Sequence, residues 1–377
     1  MRVWGILALT LLQALCAACI WDRDTLGQEL RGLPEIQDII AGRIERNPPL
    51  YFEMRADRVR KELASGQGSP EIRMALYDDL AVAYDRLGRQ NDALAVMAEK
   101  EREFAAVRQR LSPSVRDDIR YKTLANRGTF FAHRGMKTKS PGDREAALAD
   151  LRACVALNPN AHFGRERVQI QLIEWLGKPA HEVELAVRAL EDPERTEFYK
   201  GLVGIMTMGE AWNSPDILLM VGLTMPHPIR NRHNYVAKAL QRRYQELLEG
   251  RRETPIYGFP LQMQISKGGF MEPQSRISDE AYAKLKKNGE EFRRYRDEYM
   301  LARLEAGRHP DTDKSFWDGY RPPPLPSGLE GSWLDRVQML GSASPAPFLM
   351  FLGVSTLVVL ALWKLSRVWI GRRATRV

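Results

Sequence analysis

The side chains able to do chemistry are few in this chain and poorly spaced for it. Of its six histidines, His227 and His233 are separated by Pro228 and by a spacing that does not return to one helical face. They read as loop histidines and not as paired metal ligands. Glu246 and Glu249 do share a helical face, but they lie among Arg242, Arg243 and Arg252, which marks a solvated charged surface and not an acid and base held apart for catalysis. Gly268-Gly269 follows Lys267 without the Ser or Thr and the helix that a phosphate loop needs, so it reads as a turn. No nucleophile elbow or dinucleotide fingerprint occurs. Three cysteines supply neither a disulfide framework nor a zinc site. We therefore expect no catalytic residue, no metal and no cofactor. The alternative, an enzyme, would have its site in residues 253–278 or around 227–234, with His227, His233 and a carboxylate converging.

Elements of helical length fill the middle of the chain. From Met74, the residues Tyr77, Leu80, Ala81, Tyr84, Gly88, Ala93 and Met97 fall at the spacing of two antiparallel helices. Ala81 and Ala93 are small where the helix axes cross. Leu80 and Tyr84 fill the space beside them, and Gly88 ends the first helix in a left-handed turn. Residues 74–107 resemble a tetratricopeptide repeat (TPR), a helical hairpin, with two departures: Lys100 where a small residue is usual and Ala105 where proline is usual. Residues 121–160 carry a second copy: Leu124, Gly128, Phe131 and Gly135, then Ala147, Leu151, Cys154 and Pro159. An insertion at 136–142 is expected between its helices. Cys154 takes the small-residue site, as a packed thiol.

Further helices are expected at 166–176, 180–190, 217–222 and 234–248, giving an all-α, solenoid-like array over 73–250, preceded by a helical segment at 19–72. Residues 251–278 lose helical period and read as an irregular loop or short hairpin. A charged helix follows at 279–306, and then a proline-rich spacer at 307–346.

In tetratricopeptide proteins the first helix of each hairpin lines a groove. The resemblance places Asp78, Val82, Asp85, Arg86, Lys122, Thr129 and His133 there, as candidates for holding a protein or peptide partner. Asp78 and Val82 replace the Lys and Asn of the carboxylate-binding subgroup. The stretches Trp21 to Leu26, Pro48 to Arg55 and Asn158 to Arg165 are similar to segments of uncharacterised exported bacterial tetratricopeptide proteins.

The two ends of the chain read as addresses. Residues 1–18 resemble a secretory signal, and Cys19, behind a box of small residues, is a lipidation candidate despite Cys16 standing where that pattern has an aliphatic residue. Residues 347–365 hold an uncharged apolar run long enough for a transmembrane helix. Behind it the tail, 366–377 together with Lys364, is basic, which places the C-terminus in the cytoplasm and the main body outside a bacterial cytoplasmic membrane. The formal net charge is +8, but most of it comes from that tail, so nucleic acid is not expected as a partner. The reading is a single-pass, extracytoplasmic scaffold for protein–protein interaction. A membrane-assembly subunit acting through its anchor helix is a further alternative.

Overall fold

The computed structural model describes residues 21–25, 36–159, 164–208, 210–226, 236–249 and 279–326. The signal-like stretch, Cys19, His227, His233, residues 251–278, the apolar run and the basic tail lie outside them. The described residues belong to one compact unit, Met1–Pro326, and all their regular structure is helical. Among them no helix is long and apolar enough to cross a membrane.

A Ser-Pro dipeptide starts four of the helices: α3 (Pro70–Arg86), α5 (Pro113–Thr138), α6 (Pro141–Leu157) and α10 (Pro215–Thr224). In each the serine hydroxyl accepts the backbone N–H three residues on, as Ser140 does from Asp143 at 3.3 Å. The proline occupies the first turn, where its missing N–H removes nothing. The remaining helices are α1 (Ile36–Ala41), α2 (Pro49–Ala64), α4 (Gln90–Val107), α7 (Arg165–Trp175), α8 (Ala180–Arg188), α9 (Glu194–Met208), α11 (Val236–Leu248) and α12 (Asp279–Glu305).

Neighbouring helices in sequence pack together from α2 to α7, and α9, α10 and α11 continue the series. Between α3 and α4 the chain turns at Gly88, whose φ of +74° is left-handed. Ala81 and Ala93 have no exposed surface, in keeping with a close helix crossing. The second hairpin differs from expectation. Residues 136–142 do not form an inserted loop, because α5 runs on to Thr138 and only Lys139, at φ 59°, breaks before Ser140 caps α6. Met136 and Lys137 favour helix and carry α5 through the expected loop, until Lys139 and the Ser140-Pro141 start of α6 end it.

α12 does not extend the series. It packs against α1 and also touches α2, crossing α1 so closely that a Cβ on Gly289 would stand 1.6 Å from the Ala41 carbonyl oxygen. Any side chain there would force the helices apart. Residues 307–326 are not a free spacer either; they fold back on α12. Tyr299 donates to the carbonyls of Phe316 and Asp318 at 3.0 and 2.7 Å. Prolines offer carbonyls but no N–H to a neighbouring chain, and side chains meet them: Arg43 donates to Pro323 O at 2.7 Å and Asn288 to Pro324 O at 2.8 Å. A small apolar core of Tyr51, Met300, Leu304 and Phe316 joins this return to α2.

Candidate functional site

The positions assigned to a partner groove lie on α3 and α5, but most of them are inside the molecule. Asp78, Val82, Asp85, Thr129 and His133 are all buried, and Arg86 and Lys122 are half-buried. The chain itself supplies their partners. His133 Nδ1 lies 2.8 Å from the Asp85 carboxylate, Gln90 donates to the same carboxylate at 3.3 Å, and Gln169 donates to Thr129 Oγ1 at 3.2 Å. Lys122 pairs with Asp118 at 2.7 Å, one helical turn away. In the other hairpin helix, Cys154 is fully buried, and burial pushes its thiol up, out of the reactive range.

One run of these contacts has a direction. Lys100, with a side chain 0% exposed, donates to both oxygens of Asp78 at 2.7 Å. Burial raises the Asp78 carboxyl and lowers the Lys100 ammonium from their ordinary values. Each charge holds the other in place against that desolvation. Asp78 also accepts from Asn126 Nδ2 at 2.9 Å. A carboxylate can only accept, so this bond fixes which end of the Asn126 amide faces which way. The Oδ1 end then accepts from the backbone N–H of Trp21 at 2.6 Å, while Nδ2 donates to the Trp21 carbonyl at 3.0 Å. A single amide thus grips the main chain of residue 21 in both directions.

What it grips is the segment 21–25, lying across α2, α3 and α5. The Trp21 ring is buried, meets Tyr121 edge to face at 5.8 Å and lies 5.3 Å beneath Lys122 Nζ. Asp79 accepts from Arg23 twice, from its backbone N–H at 3.1 Å and from its side chain at 2.7 Å. Asp22 caps the turn that follows by accepting from the N–H and the hydroxyl of Thr25, both at 2.9 Å.

Arg55 closes the other side of the segment. Its side chain is 0% exposed, and its guanidinium reaches Asp22 at 3.1 Å, Asp24 at 2.9 Å and Asp311 at 2.7 Å. It also stacks 4.5 Å over the Tyr51 ring and donates to the Tyr51 hydroxyl. Arg23 and Arg58 add further bonds to Asp311. His309 is locked beside them: Asp311 N–H can only donate, so Nδ1 accepts at 3.1 Å and the ring proton sits on Nε2, directed at Tyr51 O. Burial lowers the pKa of His309, which keeps the ring neutral. Asp22 is pushed up to about 6, first by burial and then by Asp24. Asp311 is held down at about 2 because its bonds to Arg55 outweigh its burial.

Every acid in this cluster faces a guanidinium, hydroxyl or amide of the chain, an arrangement that holds chain segments together. Among the described residues no group of three or more His, Cys, Asp or Glu side chains is placed to hold a metal. Outside the cluster, Glu246 bonds to Tyr282 and Lys286, both at 3.1 Å.

Asn126, Asp79, Arg55 and Asp311 were not among the residues singled out from the sequence. The alternation Trp21-Asp-Arg-Asp24 was the available signal, since acids and a base spaced this tightly around an aromatic need complementary partners. No family model, curated protein or solved structure matches the chain.

Proposed function

We propose that the protein is a membrane-anchored, extracytoplasmic scaffold of the tetratricopeptide type, which works by holding polypeptide segments and not by catalysis. The reading is supported by one observation above others: the inner surfaces of α3 and α5 already grip a short stretch of polypeptide through its main chain, by way of Asn126 and Asp79. The spacing of Ala81, Gly88 and Ala93 supports the repeat type, and the run at 347–363 with its basic tail supports the anchor and its orientation.

A photo-crosslinking side chain placed at Lys122, on the rim of this surface, should give discrete adducts in native membranes, while one at Lys178, an exposed residue in the turn between α7 and α8, should not. Equal labelling from both positions, or none from Lys122, would count against the scaffold. Protease supplied on the extracytoplasmic side should remove the body and spare a tag on the C-terminal tail. Digestion of the tag alone would reverse the orientation.

A further inference from the structure

The segment 21–25 is bound as a ligand is bound. An amide that both donates to and accepts from one residue's main chain recognises that residue whatever its side chain, and the segment then turns into a helical start at residues 23–25, capped by Asp22. Side-chain selection is then layered on top. Trp21 enters a buried place against Tyr121 and Lys122. The acids at the second and fourth positions reach the same guanidinium of Arg55. The base between them meets Asp79 at 2.6 Å while remaining 40% exposed, so this position selects charge more than shape. The partners come from three helices and from the turn that follows α12, and all are rigidly held: Asn126 by Asp78 and Lys100, Arg55 by Tyr51 and Asp311. A site pre-organised to this degree does not depend on the peptide bond that joins residue 25 to residue 26.

We infer that this surface is a peptide-binding seat with the preference aromatic, acid, base, acid, which the chain fills with its own residues 21–24 and which a partner segment of the same chemistry fills in their place. The inference rests on the scaffold reading and names the class of ligand that such a scaffold takes. The tethered segment competes with any free peptide at an effective concentration on the order of millimolar. A partner therefore gains access by carrying a better match, by being held nearby, or when segment 21–25 is withdrawn.

The test uses the full chain with the seat vacated by Trp21→Ala and Arg23→Ala together, checked for retained helicity by circular dichroism. The probe is a fluorescein-labelled pentapeptide of sequence Trp-Asp-Arg-Asp-Thr, followed by anisotropy. Saturable binding at least about tenfold tighter to the vacated chain than to the unaltered one is expected, because the tethered competitor has been weakened. Adding Asn126→Ala, or replacing the peptide's Trp by Ala, should remove it.

Equal binding to both chains, or binding indifferent to Asn126, would overturn the inference, as would no binding to the vacated chain. If the vacated chain loses its helicity, hydrogen exchange on the unaltered chain decides. Millimolar peptide should strip protection from the Trp21 and Arg23 amides, and unchanged protection would be the refuting result. Discrete adducts from Lys122 alongside a peptide that fails in these assays would leave the scaffold standing and remove only the seat.

Discussion

Lys100 meets a single carboxylate, with a neutral amide completing the group, whereas Arg55 gathers three carboxylates from two distant parts of the chain. Both sites bury cations completely, and both touch the segment 21–25, but their charge balance differs. The Lys100 site is one against one. Around Arg55, four acids (Asp22, Asp24, Asp79 and Asp311) face three guanidiniums (Arg23, Arg55 and Arg58). In a matched pair each charge answers the other, while an acid-rich cluster has one carboxylate that gains from taking up a proton. Asp22, raised first by its burial and then by the neighbouring Asp24, is that carboxylate.

The contrast breaks most visibly under substitution. Lys100→Met leaves Asp78 buried without its cation and should lower stability by about 3–5 kcal/mol. The double variant Lys100→Met with Asp78→Leu should recover most of that loss, measured by urea denaturation. Recovery is the sharp part of the prediction, because a one-to-one pair can be exchanged for apolar contact. Arg55→Met should cost about 3 kcal/mol with no such rescue by Asp22→Leu, since Asp24 and Asp311 both lose a guanidinium that removing Asp22 does not replace. Its damage should be local. Proteolysis should increase within 21–25 and 309–318, with hydrogen exchange in α3 to α6 unchanged, and full rescue by Asp22→Leu would erase the distinction drawn between the sites.

The pH response separates the two further. Because the folded state raises the Asp22 pKa to about 6 from 3.8, its contribution to stability is fully present below the unfolded value and is lost as pH rises through 6. The segment 21–25 should therefore be held more firmly at pH 5 than at pH 8, by about 1 kcal/mol. Asp311, held at about 2, contributes in the opposite sense, and its stabilisation is lost as pH falls below the ordinary carboxylate range. Hydrogen exchange of residues 21–25 against pH should show the gain, and Asp22→Asn should flatten it. A profile unaltered by that substitution would assign the response elsewhere. The smallest effect belongs to the rim: Lys122→Ala removes an exposed pair and a cation over Trp21, and should change stability by less than about 1 kcal/mol in a thermal melt.

These two sites were unequally legible in the sequence. The hairpin of α3 and α4 shows itself because helix crossings demand small residues at fixed spacing, and Ala81, Gly88 and Ala93 supply them. Lys100 stood out as a departure from that spacing, and Asp78 as a departure from another, yet only the fold shows that the two departures answer one another. Nothing local connects residue 55 with residues 22 and 311, which meet through the return of α12 and the turn behind it. The Ser-Pro starts at 69, 112, 140 and 214 were present throughout and would have set four helix beginnings directly. The proline run at 322–324 pointed to a spacer, but its carbonyls offered acceptors that Arg43 and Asn288 took.

Arg55 also decides how the body carries force. It binds Asp22 and Asp24 at one end of the described chain and Asp311 near the other, while Arg43 holds Pro323 just beyond. A pull applied at residues 21 and 326 is therefore shared between these contacts and the hold that Asn126 and Asp79 keep on residues 21 and 23. The ionic clasp acts as a shackle that must open, together with the grip from α3 and α5, before the two ends can part.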